Sequence, residues 1–460
     1  MSSKLSAKLL ALALVALAMP TLAFASSSRV EGLGLQGDYV MDYNNVFTYP
    51  SVVTQYQNLV YGDLGNKDVS GGALSDFQDN NANARLLDAN RSMGAILGNL
   101  WGGRAGVWSV HFNENATPIS SAMGAQYWNR NSNESWDVIW GWKAQKMSLG
   151  LIFNRTYSSF ETNNGTAITR PFTGPGSFNT LSAINNAREV FNAVASQLGS
   201  DDWNSLGVGA GVSFDLGEGD HTKMLDLSGQ ARWMSFQFSD TTDNTVFEDN
   251  GGVSFAFNGR LHWDNGGDFH LMPVGNFYRL DLGTKFSSTS GALNPDTTYD
   301  NTVTGFQFGL VGNWKLRDSD WFWLGASYEN AKIKFEDLFR NDPGTGNPSP
   351  GPDGHAEISL QNTPNIFAAL ESSPWNWLTI RLGAGRPLFS QLKITDKDAT
   401  PDFVQKLKDS PLQYTAGVGF HFAKLDLDAV INQDFAFTGG WLASGASEVP
   451  FSKLSATYRW

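Results

Sequence analysis

Nine charged residues stand where apolar neighbours flank them on either side: Arg232, Arg260, Arg381 and Arg459, with Asp137, Asp215, Asp226, Asp426 and Asp428. Opposed charges across a wet interior create a transverse field that orients polar solutes and weakly selects ions. In a filled interior the same residues neutralise one another. The residue types alone leave both readings open.

Catalysis finds little support. The six histidines, His111, His221, His262, His270, His355 and His421, are scattered, and no Gly-x-Ser-x-Gly or His-Glu-x-x-His motif accompanies them. Gly32, Gly34 and Gly37 spell a dinucleotide-type pattern, but no strand precedes them and no helix follows. The polar stretch Asn341–Asp353 reads as a solvated loop before it reads as a weak Ca²⁺ site. The expectation is a non-enzyme with no cofactor and no metal.

The elements that carry the charges alternate with period two. Leu412, Tyr414, Ala416, Val418, Phe420 and Phe422 oppose Gln413, Thr415, Gly417, Gly419 and His421. Leu425, Leu427, Ala429 and Ile431 oppose Asp426 and Asp428 after two residues, room only for a tight hairpin. The same unit recurs around 206–216, 225–233, 253–263, 306–310 and 322–328. Short turns fall near 102–104, 144–146, 217–220, 264–267, 317–320, 372–375 and 423–424. Long polar connections fall near 113–133, 157–203, 239–250, 286–302, 337–355, 390–410 and 436–449. Stretches 92–101, 268–284 and 358–371 alternate poorly, and Pro273 and Pro364 point to bulges there.

Turns sorted by length, and strands apolar on one face only, predict an all-β protein: a transmembrane antiparallel up-and-down β-barrel. The expected count is about 16 strands, with 14 or 18 as alternatives. Its first strand lies within Thr54–Leu64, with short periplasmic turns and long external loops. Trp101, Trp108, Trp263, Trp314, Trp321, Trp375 and Trp377 cluster near short turns, as an interfacial girdle requires. Within the 157–203 connection, Thr180–Leu198 has helical spacing and is read equally as a pore-narrowing loop or a rim cap.

Lys4 and Lys8, an apolar run to Met19 and Ala23-Phe24-Ala25 read as a cleaved signal peptide over 1–25. The mature charge is then about −15, which excludes a nucleic-acid partner. There is no cysteine, hence no disulfide and no thiolate metal site. Residues 26–52 form an N-terminal segment, periplasmic or plug-like, and 53–460 the barrel.

The chain ends with Leu454, Ala456, Tyr458 and Trp460 on one face. This resembles the C-terminal signal of bacterial outer-membrane barrels, which implies localisation in the outer membrane, contact with its lipid and recognition by the barrel-assembly machinery. Length and strand count resemble porin-like proteins. Asn44-Asn45-Val46-Phe47-Thr48-Tyr49-Pro50-Ser51 resembles the Asn-Pro-Ala region of FadL-type transporters at Pro50, while Tyr49 and Ser51 replace the Asn and Ala. That likeness implies a plug inside the barrel. The expected function is a porin-like channel for passive diffusion of small solutes, its lumen lined by the nine charges. A FadL-like transporter of hydrophobic compounds and a closed surface-display or adhesion barrel are the alternatives. Oligomeric state is not readable.

Overall fold

The computed structural model describes residues 26–35, 37–66, 89–98, 100, 103–113, 134–161, 200–217, 223–240, 245–264, 266–281, 283–288, 297–299, 302–337, 340–341, 348–349, 354–396, 403–410, 412–431 and 451–460. The expected signal peptide, Trp101 and the expected helix Thr180–Leu198 lie outside them.

Sixteen antiparallel strands close into one barrel. The first seven are β1 (Leu59–Asn66), β2 (Ala89–Leu97), β3 (Val107–Asn113), β4 (Glu134–Ala144), β5 (Met147–Glu161), β6 (Ser200–Asp215) and β7 (Lys223–Asp240). Next come β8 (Thr245–Asp249, resuming as Val253–Asp264), β9 (Phe269–Asp281, then Thr284–Ser288) and β10 (Thr297–Tyr299, then Thr302–Arg317). The wall continues through β11 (Asp320–Asp337), β12 (Gly354–Trp375), β13 (Leu378–Pro387, then Ser390–Asp396) and β14 (Phe403–Asp409, then Gln413–Phe422). It ends with β15 (Leu425–Ile431) and β16 (Phe451–Arg459). Closure comes from β16 pairing with β1, Arg459 opposite Leu59 and Lys453 opposite Gly65. No sheet edge is left along this seam, which is the condition for backbone in hydrocarbon.

The period-two pattern maps onto two environments. On β5, Leu149, Leu151 and Phe153 point outward and are exposed, while Ser148, Gly150, Ile152 and Asn154 point inward and are buried. Phe257 (57% exposed), Phe308 (60%) and Leu382 (51%) continue the outer apolar belt. Trp375, Trp377 and Phe420 stack on it beside the 376–377 turn, with centroids 5.9 and 6.2 Å apart. Trp321 departs from the expected girdle. It shares the inner face with its register partner Glu371 and packs against a buried inner cluster.

Several expected connections are shorter than the sequence suggests. Strand continues through 157–161 and 200–203, through 245–249, and through 390–396 and 403–409. They are short runs in which charged and polar residues interrupt the apolar ones, too brief for a period to show, and they extend the wall past the outer apolar belt. The turn expected at 372–375 falls instead at 376–377.

Candidate functional site

The interior at the short-turn end is filled by residues 26–56. The plug begins with helix α1 (Ser27–Gly32) and continues through 3₁₀ turns at Gly37–Tyr39, Tyr43–Phe47 and Pro50–Gln55. Ser26 caps α1 with its hydroxyl on the Arg29 amide. Asp42 and Asn45 form a reciprocal capping box. Pro50 opens the last turn, where its missing N–H costs nothing. Helix α1 rests on β13, β14, β15 and β16, while Pro50–Gln55 rests on β3 to β7. The segment therefore bridges opposite walls.

Two apolar clusters seat it. Tyr43, Val46, Tyr49, Val52 and Val53 pack with Tyr61, Ile96, Ile139 and Ile152 of the wall. Val30, Leu33, Leu35, Tyr39 and Val40 pack against Met272, Val274, Val311, Trp323 and Phe367. Inner-face glycines make the close approach possible. A Cβ at Gly150 would collide with the Pro50–Ser51 backbone, and one at Gly383 with the Leu33 carbonyl.

Buried charges lock the two parts together. Arg29 of the plug donates from Nε and Nη2 to Glu371, at 2.6 and 2.7 Å. Arg381 of the wall donates to Glu371 at 2.7 Å and to Asp428 at 2.6 Å. Asp428 also accepts from the Ser26 hydroxyl at 2.6 Å. Across the lumen, Arg260 donates to Asp226 at 2.8 Å and to the Asn45 side chain at 2.8 Å, with its guanidinium 4.5 Å from the Tyr49 ring centroid. Ser213 bridges Asp226 (2.5 Å) and Ser51 of the plug (2.8 Å). Gln230 donates to the Phe47 carbonyl, and Asn276 to the Asp38 carboxylate at 3.0 Å. Burial pushes the Asp42 carboxyl up to about 8, against the opposing Asn44 amide and Arg29 charge.

The nine charges foreseen as pore-lining therefore divide. Arg260, Arg381, Asp226 and Asp428 face inward but are covered by the plug and hold it. Arg459 and Asp426 pair at 2.6 Å, and Asp426 takes His421 Nδ1 at 2.8 Å. Arg232 and Asp137 are buried further from the short turns, Arg232 donating to Asn154 at 3.1 Å. Asp215 does not reach the lumen. It is exposed at the end of β6 and accepts the Gly217 amide at 3.0 Å, because the strand ends there in a turn. At the short-turn end, side chains and backbone of the plug occupy the lumen. Glu371 and Arg29 were absent from the expected set. Glu371 sits in a poorly alternating stretch, and Arg29 in a segment with no strand pattern. Leu454, Tyr458 and Trp460 point outward and are exposed, with Ala456 on the same face.

No protein-family profile matches the chain, and no curated protein does. Solved structures with a similar outline include the Pseudomonas putida toluene transporter TodX, at 10% identity and TM-score 0.37, covering 94% of this chain and 96% of that one. A Pseudomonas aeruginosa FadL homologue is similar at 9% identity and TM-score 0.36, covering 94% and 98%. The Ralstonia pickettii toluene transporter TbuX is similar at 10% identity and TM-score 0.36, covering 96% and 99%. The chain is a closed sixteen-stranded transmembrane-type β-barrel whose own N-terminal segment fills one end of its lumen.

Proposed function

We propose that this barrel lies in the outer membrane, short turns toward the periplasm, and transports small, weakly charged compounds past an internal gate formed by residues 26–56. The observation that carries the reading is the seated plug. A sixteen-stranded barrel is wide enough to leave an aqueous channel, yet here one end is packed to near-zero exposure. Passive diffusion through a permanently open pore does not fit that packing, so passage requires the plug to shift.

The lumen wall supports the solute class. Outside the plug's seat, the inward residues Tyr278 and Leu280 of β9, Val303 of β10 and Ala331 of β11 are apolar or aromatic. A pore for hydrophilic solutes gains nothing from such a lining, whereas an apolar compound loses unfavourable water contact on it.

The chain has no native cysteine, so a reversible lock tests the gate. Ser51→Cys with Ser213→Cys joins plug to wall where the hydroxyls already stand 2.8 Å apart. Uptake of a radiolabelled monoaromatic compound into cells should fall when the pair is oxidised and return on reduction. Equal uptake in both states would remove the plug from the pathway.

A further inference from the structure

Pairing register brings together basic residues that are far apart in sequence. Arg279 of β9 stands opposite Thr304 of β10, and Thr304 opposite Lys332 of β11. Lys332 is opposite Ser359 of β12, Ser359 opposite Lys393 of β13, and Lys393 opposite Lys406 of β14. One hydrogen-bonding row across six strands thus carries four cations and two hydroxyls. Phe277 and Phe306, two residues before Arg279 and two after Thr304, are exposed on the outer face, so the whole row points outward. Arg279, Lys332 and Lys406 are exposed and Lys393 is half-buried.

The row lies just beyond the apolar belt on the long-loop side. On β11 the outward sequence runs Phe322, Leu324, Ala326, Tyr328, then Asn330 and Lys332. On β14 it runs Phe422, Phe420, Val418, Ala416 and Tyr414, then past the strand break Lys408 and Lys406. The belt therefore gives way to positive charge on a chain whose formal net charge is −13. Lys393 and Lys406 face each other directly, and like charges so placed repel. Among the described residues neither has an ion-pair partner. Asp281 and Glu357 lie two positions further along their strands from the belt, in one pairing row with Lys334. An anion resting between the two lysines relieves their repulsion, and Thr304 and Ser359 add hydroxyl donors.

We propose that this row binds the phosphate groups of the outer leaflet's glycolipid, lipopolysaccharide, docked against β9–β14. The inference rests on the outer-membrane reading above. Strand tilt lifts the β13–β14 end of the row above the β9 end, so the row offers cations at several heights, as phosphates on both lipid moiety and inner sugars require. Lysine suits this task as a mobile point charge.

The test uses the full chain, refolded and inserted into phosphatidylcholine vesicles doped with lipopolysaccharide. Retained glycolipid is quantified after detergent extraction, for wild type and for Lys332→Gln/Lys393→Gln/Lys406→Gln. The variant should retain glycolipid about tenfold less well, since each cation near an anionic lipid surface contributes modestly and they act together. Wild-type retention should fall on enzymatic removal of the glycolipid phosphates and with rising salt. Equal retention by wild type and variant overturns the proposal, as does indifference to dephosphorylation. Equal retention of phosphatidylglycerol overturns the glycolipid assignment in favour of unspecific anion binding. Insertion into vesicles, read by the gel shift between unheated and boiled protein, is scored separately. Failure to insert overturns the membrane reading and this one together, whereas insertion with unchanged retention overturns this one alone.

Discussion

Arg29 holds Glu371 through two nitrogens, at 2.6 and 2.7 Å, across 342 positions of sequence. The same carboxylate accepts Arg381 from the wall. One glutamate thus neutralises part of the gate and part of the frame. Removing it leaves two guanidinium groups sharing what Asp428 can offer.

Glu371→Gln should therefore unseat the plug while the barrel still closes. Breaking a buried pair from one side costs roughly 3–5 kcal/mol. Arg29 is only 8% exposed in the seated plug, so trypsin should spare it in wild type and cleave after it in the variant. Persistent protection of Arg29 in the variant would show that the apolar clusters hold the plug unaided.

A side chain at Gly150 should act as a wedge. Gly150→Val places carbon where the Pro50 and Ser51 backbone now sits, and overpacking of this kind costs about 1–3 kcal/mol. Single-channel recordings should show larger and more frequent openings than in wild type. Gly229→Ala is the control. It lies on the lipid-facing side, its nearest neighbour being Phe257, and should conduct like wild type.

Plug seating should weaken as pH rises. The Asp42 carboxyl is raised to about 8 when buried, from an ordinary value of 3.8. Between those values the seated plug binds more protons than the released one, so seating is favoured at low pH and loses that advantage through pH 8. Ser51→Cys supplies a thiol at a fully buried position. Its alkylation rate, divided by that of Ser51→Cys/Asp42→Asn at each pH, should climb as pH rises toward 8 and level off beyond it. Parallel profiles would remove Asp42 as the cause.

The exposed aromatic end of β16 should matter to assembly more than to stability. Trp460 and Tyr458 project outward, 51% and 44% exposed, where they bury little protein surface. Trp460→Ala/Tyr458→Ala should lower the amount of heat-modifiable protein in cell membranes severalfold. The same variant refolded from denaturant into detergent should unfold within about 1 kcal/mol of wild type. A variant that reaches the membrane in normal amounts would separate these residues from recognition.

The barrel was legible wherever the inner face is polar. On β6, β7 and β8 the inner Ser, Gly, Asp, Gln and Arg contrast with outer Leu, Phe and Trp, and alternation reveals the strands. The poorly alternating strands β2 and β9 carry apolar residues on the inner face as well, where the plug's apolar clusters pack. On β2 inner Ile96 and outer Met93 are both apolar, and on β9 inner Met272 and Val274 match outer Phe277. A second apolar partner erases the period. On β12 the phase itself flips. Ser359 shares its pairing row with the outward Lys332, yet Phe367, Ala369 and Glu371 point inward, with register skipping Thr363–Pro364 between them. Inner charges were legible as a set, but their partners were not. Arg29 and Asn45 lie in a segment whose only local signals are caps, and no spacing relates position 29 to position 371.

Connectivity places α1 near the start of the chain, while the four strands beneath it, β13 to β16, are the last to be made. Asn58, in left-handed backbone at the hinge between plug and β1, receives the amide of Trp460, the final residue. Until β13 to β16 are in place, α1 has no floor, and Glu371 on β12 lacks Arg381 beside it. Locking of the stopper is thus coupled to completion of the wall, and an unfinished barrel carries its stopper undocked.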